Sequence, residues 1–191
     1  MQKLEFKNFN IEIYSNFSEC KEKVITPVQV HGANFVEVIT GDENLDNCDA
    51  LITSNKEFKL GIKTADCASV CYGDGKKIGI AHIGWLGLCT DLNEKMLKNF
   101  DVSNLEIFIG PFMHRFEIQK DFCYEKLEIN FKNFIEHENN KMFFNFKNAL
   151  ASIMPLGKVI FDDRNTLNDL SLPSNRRDKT KERLLTVISF K

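Results

Sequence analysis

The sequence predicts a single α+β domain, on three observations. Short β-branched runs broken by turn residues fill the first half, and helix-like apolar spacing is confined to two stretches of the second half. No repeat, low-complexity tract or Pro/Ser-rich linker interrupts the 191 residues. Hydrophobic residues make up 43% and include 17 phenylalanines, enough apolar surface to offset the entropy of ordering one compact domain over residues 1–191.

The elements follow in order. Leu4 to Tyr14 alternates apolar and polar residues, as a strand or hairpin does. Val24 to Val30 and Asn34 to Ile39 are β-branched runs separated by the His31-Gly32 turn, and Ala50 to Thr53, Lys59 to Thr64 and Ser69 to Tyr72 continue the sheet. Gly73-Asp74-Gly75 turns the chain into Lys77 to Ala81. After Gly87, the residues Leu88, Leu92, Met96 and Leu97 share a helical face, with Thr90 or Asp91 as the N-terminal acceptor and an exit at Asp101 to Asn104. Leu105 to Ile109 is a strand ended by Gly110-Pro111. Lys120 to Leu156 is expected to be mainly helical, from the spacing of Phe122, Leu127, Phe131 and Phe134, with a break at Glu138 to Lys141; Lys158 to Phe161 and Leu184 to Phe190 are the last strands. Mixed or antiparallel sheets follow from this order.

A formal net charge of −2 gives no general attraction to nucleic acid or to an anionic membrane, since both require a basic excess. Met1 to Asn10 lacks an apolar signal core, no run is long enough to span a bilayer, and a cytoplasmic monomer is expected. The six cysteines are widely scattered, so free thiols are expected rather than a disulfide framework. Cys71, Cys89 and Cys123 are assigned to packing, and Cys20 and Cys48 have no assigned role.

Three segments place a possible metal ligand at a strand end: VQVHG with His31, TADC with Cys67 and AHIGW with His82. Two imidazoles and a thiolate form a zinc set that leaves one tetrahedral position open, as catalytic sites do. The ligands are far apart in sequence and form no compact signature. Each residue also fits an ordinary role, a hydrogen-bonded turn histidine or a buried thiol.

Taken together, QVHG (29–32), DALIT (49–53), TADC (64–67), AHIGWLGL (81–88), GP (110–111) and SNRRDKTKER (174–183) resemble the laccase-domain, or polyphenol-oxidase-type, YfiH-like family, now described as purine nucleoside phosphorylases. The resemblance implies a layered α/β/β/α arrangement with mixed sheets and one zinc on His31, Cys67 and His82. It also implies phosphorolysis of adenosine, inosine, guanosine and methylthioadenosine, with adenosine deamination as a second activity. Two positions depart from the family pattern. Leu86 stands where the family usually has Arg, and Glu5 to Glu22 contains neither the family's N-terminal Arg nor the Gly pair after it.

Phosphorolysis needs cations to hold phosphate, and Arg176, Arg177 and Lys179 are the candidates, Arg offering the bidentate fork that suits the anion. They also fit a solvated basic turn. Asp66 is expected either to carry a proton, alongside Cys67 and His82 as catalytic groups, or to orient His31 or His82. Trp85, Phe112 and Phe116 are candidates to stack on a purine.

Three alternatives use the same residues. Multicopper oxidation needs more imidazoles than His31, His82, His114 and His137 provide, although a single copper could replace zinc in the one site. A metal-free cysteine hydrolase would use Cys67 as nucleophile and His82 as base, with peptidoglycan precursors as substrates, to which proteins resembling the family have been linked. A binding domain without turnover is the third.

Overall fold

The computed structural model describes all 191 residues. The chain runs through β1 (Gln2–Glu5), β2 (Phe9–Tyr14), a 3-10 turn (Phe17–Glu19), β3 (Phe35–Glu37), β4 (Ala50–Thr53), β5 (Leu60–Thr64), β6 (Ala68–Gly73) and β7 (Ile78–Ile83). It continues through α1 (Trp85–Leu88), α2 (Leu92–Leu97), β8 (Glu106–Ile109), β9 (Arg115–Ile118), α3 (Phe122–Phe131), β10 (Ile135–Glu138) and β11 (Lys141–Asn145). The last elements are α4 (Phe146–Ser152), β12 (Val159–Phe161), α5 (Asn175–Asp178) and β13 (Leu184–Phe190).

Two sheets stack. The first has four antiparallel strands in the order β1-β2-β13-β5, and the second six mixed strands in the order β12-β8-β6-β7-β4-β3. The central strands of the second are buried on both faces, and their alternate residues belong to different cores. Leu51, Cys71, Ile78, Ile80 and Phe108 face the four-stranded sheet and meet Phe9, Ile11, Leu60, Ile62 and Leu184. The intervening Ile52, Val70, Tyr72, Ile83 and Ile109 belong to the other core, with α2, α3, α4 and a three-stranded sheet, β10-β11-β9. This is the expected α+β class, with two stacked sheets and the helices α2, α3 and α4 on the side of the six-stranded one. Over the far face of the four-stranded sheet, Cys20 and Val24 cover Tyr14, Leu185 and Val187.

Several boundaries differ from those expected. Leu4 to Tyr14 resolves into the β1/β2 hairpin. Val24 to Val30 is not a strand; it makes only single bridges, Ile25 with Leu60 and Val28 with Asp46. Its end turns aside because the Val30 N–H bonds the carboxylate of Asp49 rather than a neighbouring strand. The helix placed after Gly87 begins at Trp85 and is broken between Cys89 and Asp91, where the Thr90 hydroxyl donates to the Gly87 carbonyl. The long helical stretch after Lys120 contains the β10/β11 hairpin. Its tip, Asn139-Asn140, has two left-handed residues at φ 49° and 61°, the geometry of a two-residue hairpin turn that asparagine tolerates.

Candidate metal centre

His31, Cys67 and His82 converge although they lie on three separate segments. Antiparallel pairing of β6 with β7 sets Ala68 opposite Ile83, which brings Cys67 alongside Gly84. Pairing of β4 with β7 sets Ala50 opposite Ala81, and the His82 N–H donates to the Asp49 carbonyl at 2.7 Å. His31 enters from the loop before β3 with a left-handed backbone, φ 61°, and its ring lies edge-on to His82 with centroids 4.6 Å apart. One ligand atom from each of the three residues lies within 4.8 Å of the others.

Asp49, fully buried at the start of β4, organises two of the three ligands. Its Oδ1 accepts from the His31 N–H (2.9 Å) and its Oδ2 from those of Val30 (3.2 Å) and Gly32 (2.6 Å). Oδ1 also bonds His82 Nδ1 at 2.9 Å. The carboxylate therefore shapes the His31 turn and turns Nε2 of His82 towards Cys67, as a carboxylate behind a metal-bound imidazole does. Asp49, and not Asp66 as expected, orients the histidine: the Asp66 carboxylate bonds Thr166 and Arg176 instead. Its signal in the sequence was an acid opening the otherwise apolar run DALIT.

The electrostatics favour a thiolate. Burial acts to raise the Cys67 pKa, but hydrogen bonds from His31 and His82 outweigh it and bring the thiol down to about 7. Burial acts to lower that of His82, and the Asp49 and Cys67 partners carry it up to about 9. Burial likewise opposes ionisation of Asp49, but His82 and the three backbone N–H groups hold its pKa below the usual carboxylate value.

This donor set fits a metal ion. Two imidazoles and one thiolate suit zinc, and closing from 4.8 Å to the roughly 3.5 Å between ligands of a tetrahedral ion needs only small side-chain shifts. A Cβ on Gly84 would stand 2.9 Å from Cys67 Sγ and 3.5 Å from His31 Cδ2, so the close approach of the backbone requires glycine there.

The other candidates divide. Asp66 is buried with φ 90°, its Oδ1 accepting from the Thr166 hydroxyl (2.9 Å) and its Oδ2 from the Arg176 N–H (2.7 Å). Arg177 is corrected as a phosphate ligand: its guanidinium donates to the carbonyls of Thr166, Asp169 and Leu172 and to both oxygens of Asp178. It latches the preceding loop and has no free donor edge. Arg176 is exposed, stacks over Phe116 at 5.0 Å and makes one side-chain hydrogen bond, to the Glu117 carbonyl. Lys179 is exposed at the left-handed C-cap of α5. Phe112 is fully buried in the core, which removes it as a stacking surface. Trp85, Phe116 and Arg176 instead border a cleft of about 460 Å³, and Trp85 follows Gly84 directly in the chain. All six cysteines are free thiols.

The fold agrees with the family comparison. Residues 8–191 match the family described as multi-copper polyphenol oxidoreductase laccase, and the chain belongs to it. Among curated relatives, a purine nucleoside phosphorylase of Aquifex aeolicus is 30% identical, over 88% of this chain and 83% of its own length. One from Rickettsia conorii is 34% identical over 78% of this chain and 68% of its own. The chain spans about half (49%) of a 34%-identical Staphylococcus aureus relative of the same description. A Neisseria meningitidis protein of known structure superposes with a TM-score of 0.79 at 20% identity, over 88% of this chain and 75% of its own. YlmD of Geobacillus stearothermophilus gives 0.75 at 21%, over 87% and 73%. No helix is long and apolar enough to cross a membrane.

Proposed function

We propose that this chain is a zinc-dependent purine nucleoside phosphorylase acting on adenosine, inosine, guanosine and methylthioadenosine in the cytoplasm, with adenosine deamination as a second activity. The observation that carries this reading is the convergence of His31, Cys67 and His82 beside a cleft bordered by Trp85, Phe116 and Arg176; the relatives, purine nucleoside phosphorylases, suggest the reaction.

The side chains suit the chemistry. Trp85 offers aromatic surface for a purine, Phe116 being buried beneath Arg176, and the exposed donors of Arg176, with Lys179 on the same turn, hold a phosphate. A phosphate oxygen forms the new bond to the anomeric carbon as the glycosidic C–N bond breaks, and its electron pair leaves with the base, which takes a proton. Arg176 pre-positions the nucleophile and offsets its charge. His31, Cys67 and His82 would hold zinc, which when bound would supply Lewis-acid chemistry at neutral pH; copper could occupy the same ligands. Leu86, half-buried in α1, offers no charge to phosphate, so Arg176 carries more of the anion binding.

The test combines metal analysis with product analysis of adenosine and inosine incubations, with and without phosphate, for wild type and Cys67→Ala. About one metal per chain and phosphate-dependent base release, both lost in Cys67→Ala, support the reading. Metal without nucleoside turnover refutes the reaction and keeps the centre.

A second reading has its own observation. Asp49, His82 and Cys67 form a connected acid–imidazole–thiol series, the order a cysteine hydrolase uses. Activity that survives chelation and is abolished by iodoacetamide supports that alternative.

A further inference from the structure

Asp66 has the features of a clamp. Its left-handed backbone, φ 90°, is costly for a residue other than glycine and persists where surrounding contacts over-determine it. Three segments supply those contacts. The Asp66 carbonyl accepts from the Met113 N–H at 2.9 Å. Its carboxylate accepts from the hydroxyl of Thr166, itself fully buried, and from the N–H of Arg176. The donors lie 100 and 110 residues away in sequence for the two carboxylate contacts, yet they meet on the residue preceding the metal ligand Cys67.

At α5, the Ser174 hydroxyl caps the Arg177 N–H at 3.1 Å, and Asp66 takes that of Arg176. With these two amides satisfied, what Arg176 offers an anion is its side chain, which lines the cleft from a backbone tied to Asp66. Both Asp66 oxygens are engaged in contacts that tie these segments together.

We propose that Asp66 is a positioning residue: it fixes Arg176, and through it the anion-binding arm of the cleft, relative to the metal-ligand turn, and it does so as a hydrogen-bond acceptor rather than as a proton carrier. The proposal rests on the phosphorolysis reading for its kinetic consequence but not for its structural one. Asparagine can preserve the clamp, since its Oδ1 can accept from Arg176 while its amide donates to the Thr166 oxygen. Glycine removes the carboxylate and still tolerates φ 90°.

Asp66→Asn and Asp66→Gly are therefore compared with wild type, with Thr166→Val as a milder variant that cuts only one arm. For metal-loaded protein, the readouts are metal content, the KM for phosphate, kcat, the pH–rate profile and amide exchange at Arg176. Asp66→Gly is expected to raise the KM for phosphate about tenfold or more with a smaller change in kcat, and to speed exchange at Arg176 while keeping its metal. Asp66→Asn is expected to restore both, with an unchanged pH profile, and Thr166→Val to fall between. The proposal is overturned if Asp66→Asn is as impaired in kcat as Asp66→Gly and loses one limb of the pH profile, the mark of a proton carrier. It is equally overturned if Asp66→Gly leaves phosphate KM and Arg176 exchange unchanged. Should wild type release no base, the phosphorylase reading fails, and the exchange comparison alone decides the clamp.

Discussion

Two carboxylates in this molecule perform the same operation on the backbone with different consequences. Glu43 gathers the N–H groups of Ile39, Thr40 and Gly41, with the Thr40 hydroxyl as a fourth donor. Asp49 gathers those of Val30, His31 and Gly32, with His82 as the fourth. Glu43 is only half-buried and all its donors lie within four residues, so it closes a local turn that water also solvates. Asp49 is fully buried and its donors lie 17 to 33 residues away. In that low-dielectric setting an acceptor is worth more, and its loss leaves the donors stranded. The same three-amide cradle trims a loop in one place and sets a metal centre in the other.

The largest effect that separates the two is expected from Asp49→Asn. Its amide cannot accept from three N–H groups and a histidine together, so metal affinity should fall about 10- to 100-fold and stability by on the order of 2–4 kcal/mol, read by chelator competition and denaturant unfolding. Stability within error of wild type would remove the distinction between the cradles.

Next in size is Gly84→Ala. The added methyl meets Cys67 Sγ at 2.9 Å, so metal binding should weaken severalfold while the unfolding midpoint changes much less. Parallel losses of both would mean that the glycine serves the fold rather than the centre.

A third test sharpens the electrostatic side. In metal-stripped protein, alkylation of Cys67 by iodoacetamide should rise through about pH 7, below the ordinary thiol range of about 8.5. Metal should protect the thiol. A midpoint near 8.5 would show that His31 and His82 do not favour the thiolate.

The smallest effect is expected from Glu43→Gln. The N–H groups of Thr40 and Ile39 hold the Glu43 carboxyl down at about 2. A folded pKa below the unfolded value gives a contribution that is full above about 4.3 and is lost as pH falls towards 2. The wild-type advantage over Glu43→Gln should therefore be slight near neutrality and vanish through that acid window in thermal melts. A loss at pH 7 matching that of Asp49→Asn would contradict the comparison.

What was legible in the sequence follows from where the information lies. The buried strands β4, β5, β6, β8 and β13 were visible because β-branched runs of that length, bounded by turn residues, read as strands. The β10/β11 hairpin was hidden because its aromatic residues continue the apolar spacing of α3, and only the Asn139-Asn140 pair marks the turn. The three candidate ligands were legible as strand-end motifs. Asp49 was not assigned a role, because its donors come from distant segments that only the strand register brings together. Arg177 reads as an anion ligand for a similar reason: the sequence shows a charge, whereas its direction depends on carbonyls of a loop that folds back over it.

The most direct test is a metal titration of wild type, Asp49→Asn and Glu43→Gln side by side, with Cys67→Ala as the empty control. The account predicts about one ion per chain for wild type and Glu43→Gln with equal affinity, 10- to 100-fold weaker binding for Asp49→Asn, and none at this site for Cys67→Ala. Equal affinity in Asp49→Asn and wild type, or undiminished binding in Cys67→Ala, would contradict it.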